Sequence, residues 1–67
     1  MNETLAEAFP KEQARVREVL GYYKEIGPAG MFGAYMIEDV LRKADEAAIS
    51  GSLVDMIASL RELKEVK

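Results

Sequence analysis

The chain has 67 residues, 12 acidic and 9 basic, with no cysteine, histidine or tryptophan, and 49% of it is hydrophobic. That amounts to one small domain, since domains usually run to about 100–150 residues, and it excludes a disulfide framework, a zinc site of the usual kind and Cys- or His-based catalysis. A net charge of −3 with 31% charged residues opposes a broad phosphate-binding surface.

The apolar fraction is too high for a disordered tail. A chain this short nevertheless buries only about 60% of its unfolded surface, and its core is expected to supply roughly 3–5 kcal/mol. With disulfides and zinc ruled out, stability must come from well-formed helix packing or from a second copy of the chain, so a homodimer is one expectation. No segment reaches the roughly 20 continuous apolar residues of a membrane span. Met1-Asn2-Glu3-Thr4 lacks the basic start and apolar run of a signal peptide, and the expected location is cytoplasmic.

Apolar residues recur at helical spacing, with no strand-like alternation. Residues 1–9 read as an N-terminal arm. In it Thr4 and Glu7 match a capping box, and residues 4–9 suit a short helical turn, kinked at Pro10 and pinned by Leu5 and Phe9. A first helix follows over residues 10–26, with Pro10 at its tolerated first position and a stripe of Val16, Val19, Leu20, Tyr23 and Ile26. Gly27-Pro28-Ala29-Gly30 ends it, because Gly27 suits a left-handed cap and Pro28 blocks continuation. A second helix covers residues 31–49. Its stripe is Gly33, Met36, Ile37, Val40, Leu41, Ala44 and Ala48, and Glu38–Arg42 and Asp39–Lys43 pair on a wet face. Ser50-Gly51-Ser52 breaks the chain again, with Ser52 and Asp55 resembling a capping box. A third helix covers residues 53–65 with a stripe of Leu53, Met56, Ile57, Leu60 and Leu63 or Lys64. Short connections make neighbours antiparallel. The expected fold is all-α: a small three-helix bundle, built as a helical hairpin plus a third helix.

Two features are candidates for function. Three glycines lead into the second helix, and helix starts attract anions, so Gly30, Met31, Phe32 and Gly33 form a conceivable phosphate or nucleotide site. The segment is neither a Walker A loop nor a dinucleotide fingerprint, and a helix stop, a tight turn and close packing explain it more simply. The second feature is aromatic. Tyr22, Tyr23, Phe32 and Tyr35 gather at one end of the bundle. Tyr23 follows the stripe and belongs to the core, whereas Tyr22 and Tyr35 lie off the stripes. Rings that close the open end of the bundle are the simpler reading, and a partner-binding patch of Tyr22, Phe32 and Tyr35 is the alternative. Met31, Met36 and Met56, at helical spacing, are expected in the core.

The remaining chemistry is sparse. Glu38/Asp39 and Asp45/Glu46 are adjacent on helices and diverge by about 100°, so neither pair shares a site and both read as solvated. Glu3/Glu7 and Glu62/Glu65 make poor cation cages; no metal and no cofactor is assigned. Ser50, Ser52, Ser59 and Thr4 have no activating neighbour, so no enzymatic activity is expected. A DNA-reading third helix would need a basic face; Arg61, Lys64 and Lys67 are offset by Asp55, Glu62 and Glu65, and no direct nucleic-acid binding is expected.

The run Ile26-Gly27-Pro28-Ala29-Gly30-Met31-Phe32-Gly33, then Met36-Ile37, Ala44-Asp45, Ser50-Gly51 and Met56, resembles small helical proteins of tailed phages and prophages over about residues 16–64. The resemblance carries no catalytic signature. It implies a protein that binds host or phage proteins, in the host cytoplasm. The leading expectation is a non-catalytic protein–protein interaction module. The alternatives are a self-assembling homo-oligomeric helical module and a small-anion or nucleotide binder at Gly27–Gly33.

Overall fold

A computed structural model describes residues 3–67. Helix α1 spans Leu5–Ile26, a 3-10 turn spans Gly27–Gly30, α2 spans Met31–Ser50 and α3 spans Leu53–Glu65. Every pair of helices is in contact, and no strand occurs among the described residues, so the fold is a small all-α three-helix bundle. No helix of the described residues is long and apolar enough to cross a membrane. The expected N-terminal arm includes Met1 and Asn2, which lie outside the described residues.

α1 begins earlier than the sequence suggests. Leu5–Phe9 is not a separate turn but the start of one continuous helix that runs through Pro10. The capping box launches it: the Thr4 hydroxyl accepts the Glu7 amide at 3.2 Å, and a Glu7 carboxylate oxygen accepts the Thr4 amide at 3.2 Å. Pro10 removes the amide that would bond the Ala6 carbonyl, an interior cost of about 3 kcal/mol. Ala6 and Pro10 are both exposed, so water can reach that carbonyl. Burial of Phe9 (about 1.5–3 kcal/mol) and the cap (about 1 kcal/mol) offset the rest.

The box also makes the helix start sensitive to acid. The Thr4 amide and hydroxyl hold the Glu7 carboxyl below the usual carboxylate range. A depressed carboxylate stabilises the fold above its ordinary pKa, and that contribution fades as pH falls through the lower folded value. Thr4→Ala is therefore expected to cost about 1 kcal/mol at neutral pH and measurably less in strongly acid solution. Urea titrations at the two pH values check this; an equal loss at both would contradict the ionised-box account.

Charge pairs bridge α1 and α2. Arg17 grips both carboxylate oxygens of Asp45 at 2.8 and 2.7 Å, Gln13 donates to Asp45 at 2.8 Å, and Lys24 meets Glu38 at 3.1 Å. Asp45 is thus a half-buried bridge rather than part of a solvated face. Glu38 pairs across to α1 instead of with Arg42, while Arg42 turns to Asp39 and to Glu46 at 3.6 Å. The Asp39–Lys43 pair forms as the spacing implies, at 3.2 Å. Lys43 and Arg42 together hold the Asp39 carboxyl below the usual range.

Gly51, at φ 72°, ends α2 in the left-handed region that glycine adopts without strain. Ser52 then caps α3 by accepting the Asp55 amide at 3.3 Å. The reciprocal half of that box is replaced: the Ser52 amide donates to the Ser50 hydroxyl at 3.3 Å. α3 runs back antiparallel along α2. Its C-terminal end is held by Arg15, whose guanidinium donates to the Leu63 carbonyl at 2.9 Å while pairing with Glu12; a cation at a helix C-terminus is favourable. The core is built on Phe9, Val16, Ile37, Leu41, Ala44 and Leu63.

Helix length decides what this core covers. At 1.5 Å per residue α1 and α2 are about 33 and 30 Å long, whereas α3 reaches only about 20 Å. The ends of α1 and α2 nearest the 3-10 turn therefore have no third helix against them.

Candidate functional site

The uncovered end is built around Tyr23. Gly33 has no side chain, and a Cβ there would lie 2.6 Å from the Tyr23 ring, so that ring lies directly against the backbone of α2. Tyr23 faces inward and packs on the core, as its stripe position implies. Its neighbour Tyr22, about 100° further round the helix, must face outward and is 56% exposed. The Tyr22 hydroxyl donates to Glu18 at 3.0 Å. That bond and the negative charge of Glu18, with a smaller contribution from Glu25, push the phenol above its ordinary pKa.

On α2, Phe32, Tyr35 and Met36 stand at i, i+3 and i+4 and form one outward stripe. Phe32 is 78% exposed and Tyr35 59%. Ile26, Met31 and Met36 are exposed as well, which corrects their expected burial. Ile26 and Met36 have the periodicity of a core stripe, but they lie at the end of the hairpin beyond full cover by α3; Met31 lies off the buried side of α2. The rings of Tyr22, Phe32 and Tyr35 likewise do not close the end of the bundle; they stand in solvent beside it. Met56, in contrast, packs on the core as expected.

Beside these residues a groove of about 550 Å³ lies between α2 and the C-terminal end of α3. Tyr23, Met36, Ile37 and Val40 form its apolar wall, and Glu62, Glu65 and Lys67 its charged rim. This is a surface suited to an apolar side chain or helix edge from another molecule. A second groove, of about 380 Å³, runs between the polar faces of α2 and α3, with Lys43, Glu46, Asp55 and Glu62 around small residues such as Ala47 and Ser59. Among the described residues no three acidic side chains converge as a metal cage requires.

The glycines of the expected anion site each have a packing reason. Gly27 adopts φ 85°, which ends α1. A Cβ on Gly30 would lie 2.3 Å from the Tyr23 carbonyl oxygen, and Gly33 accommodates the Tyr23 ring. The Met31 amide is already donated to the Pro28 carbonyl within the 3-10 turn. Gly30 is buried, while Met31 and Phe32 are exposed.

A second exposed apolar region was not anticipated. Ile49, Leu53, Val54 and Ile57 all lie open around the α2–α3 connection. Leu53 and Ile57 were expected inside; Ser59 and Leu63 are buried on α3 in their place, and Ala47 rather than Ala48 on α2. The available sign was the run of residues 47–60, in which Asp55 is the only charge. The chain matches no protein-family model, no curated protein and no solved structure.

Proposed function

We propose that this protein is a non-catalytic interaction module that docks a partner protein on the end formed by Tyr22, Phe32 and Tyr35. The observation that carries this reading is the position of those three rings. All are more than half exposed, at the one end where α3 fails to cover α1 and α2. Aromatic side chains dominate binding energy at protein contacts, because a large apolar face is desolvated at little conformational cost. The groove beside them offers a seat for an apolar anchor from the partner.

The surroundings bias the choice of partner. Glu18 and Glu25 lie close enough to Tyr22 to raise its pKa, and Glu25 has no ion pair among the described residues. A partner with basic or hydrogen-bond-donating flanks satisfies them. The resemblance to small phage proteins supports a host or phage protein in this role, at work in the host cytoplasm. Anion or nucleotide capture at Gly30–Gly33 has less support, since packing already accounts for each glycine.

The test is the triple variant Tyr22→Ala/Phe32→Ala/Tyr35→Ala. Its helicity should match the parent, because none of the three rings is buried. A partner captured by the parent, then purified, should bind the variant at least about 100-fold more weakly by calorimetry, as loss of hot-spot aromatics implies. Equal affinity for parent and variant would move the site elsewhere.

A further inference from the structure

The apolar face at the opposite end of the hairpin has its own explanation, which goes beyond the partner-binding reading and does not rest on it. Leu53 and Ile57, one helical step apart, extend the inward stripe of α3 round to its outer side, and Val54, 77% exposed, and Ile49, 88% exposed, flank them. The apolar arc of α3 is wider than one hairpin can cover.

We propose that a second copy of this chain covers this face, through a two-fold contact of α3 against α3. Three observations support a second copy. The first is charge. A two-fold axis sets a surface against itself, so like charges close to the axis oppose the contact; residues 47–60 carry only Asp55, and that side chain lines the groove between α2 and α3. The aromatic end, beside Glu18 and Glu25, meets that opposition.

The second is area. A monomer of 7.5 kDa is expected to expose about 4,250 Å², and this one exposes 4799 Å². That excess accompanies large apolar side chains left open, among them Ile49, Leu53, Val54 and Ile57 on this face. The third is shape. The radius of gyration is 12.3 Å and the thinnest dimension 15 Å, against about 11 Å of gyration radius for a compact domain of this length. Each chain has the proportions of one layer of a thicker assembly.

The two α3 helices run antiparallel. Arg61 and Lys64, at the C-terminal edge of the face, have no ion pair among the described residues. Parallel pairing would set them against their own copies, whereas antiparallel pairing sends them to opposite ends of the contact. Ile57, near the middle of the face, then lies closest to the two-fold axis.

Sedimentation over a concentration series tests this directly. The parent should pass from one chain mass to two, while Val54→Lys/Ile57→Lys, altered only at exposed positions, should stay at one mass with unchanged helicity. Because the chain has no cysteine, Ile57→Cys gives a second test that needs no charge on the face. On oxidation it should cross-link two chains, and Lys24→Cys should not. Tyr22→Ala/Phe32→Ala/Tyr35→Ala should dimerise like the parent, which separates this proposal from the partner site. A parent that stays at one mass at high micromolar concentration overturns it. So does a Lys variant that still dimerises, an Ile57→Cys chain that does not cross-link, or a dimer lost with the aromatic residues.

Discussion

Phe9→Ala is expected to leave the chain largely unfolded. The Phe9 side chain is 2% exposed and packs in the core cluster with Val16, Ile37 and Leu63. Truncating a buried phenylalanine costs about 3–5 kcal/mol through lost transfer energy and the cavity left behind. A core of this size supplies roughly 3–5 kcal/mol in total, so the variant sits at or below the folding threshold. The same side chain secures the start of α1 against the cost of Pro10. Phe9→Leu keeps most of the volume and should retain the fold. Far-UV circular dichroism with urea titration separates the cases. A cooperative Phe9→Ala transition near that of the parent would show that Leu5–Phe9 is not part of the core.

Gly30→Ala is the second large effect. A Cβ at Gly30 would lie 2.3 Å from the Tyr23 carbonyl oxygen and 3.2 Å from the Ile26 Cβ. The oxygen belongs to the backbone and cannot rotate away, so α1 and α2 must separate at the turn. Overpacking of this kind costs about 1–3 kcal/mol, and occasionally more when backbone must move. Gly21→Ala is the control. That glycine is exposed inside α1 and a Cβ there meets nothing within 4 Å, so alanine should stabilise the helix by about 0.5–1 kcal/mol. The two substitutions, identical in chemistry, should shift the urea midpoint in opposite directions. Equal shifts would mean that the close approach at Gly30 does not hold the hairpin.

The helices and their breaks could be read from local chemistry. Gly27 and Gly51 stop helices because both need positive φ, and Thr4 and Ser52 start them because their hydroxyls accept an amide three residues on. These signals act within one turn of chain. The signals that failed depend on neighbours. Periodicity placed Ile26, Met36, Leu53 and Ile57 on apolar stripes, and it was right about the stripes. Burial, however, requires a facing helix, and the short α3 leaves Ile26 and Met36 more than half exposed. Leu53 and Ile57 lie at the outer edge of the α3 stripe, past the side that α1 and α2 cover. Pro10 misled in the same way: its local penalty is real, but the burial of Phe9 that offsets it is tertiary. Asp45 looked like solvated surface because Arg17 and Gln13 lie 28 and 32 residues away in sequence.

The candidate site follows the same division. Tyr22 and Tyr35 could be placed off the stripes from spacing alone, and they are exposed. The exposure of Phe32 beside them, the groove under Tyr23 and the apolar face at Leu53–Ile57 arise only when the three helices are set side by side.

Amide chemical-shift mapping with the purified partner tests the central claim most directly. The aromatic end should respond as a unit, with shifts confined to residues 22–36 and to the tip of α3 around Glu65, and with no response around Ile49 and Val54. Perturbations centred on the α2–α3 connection, or spread evenly along the charged faces, would contradict the account.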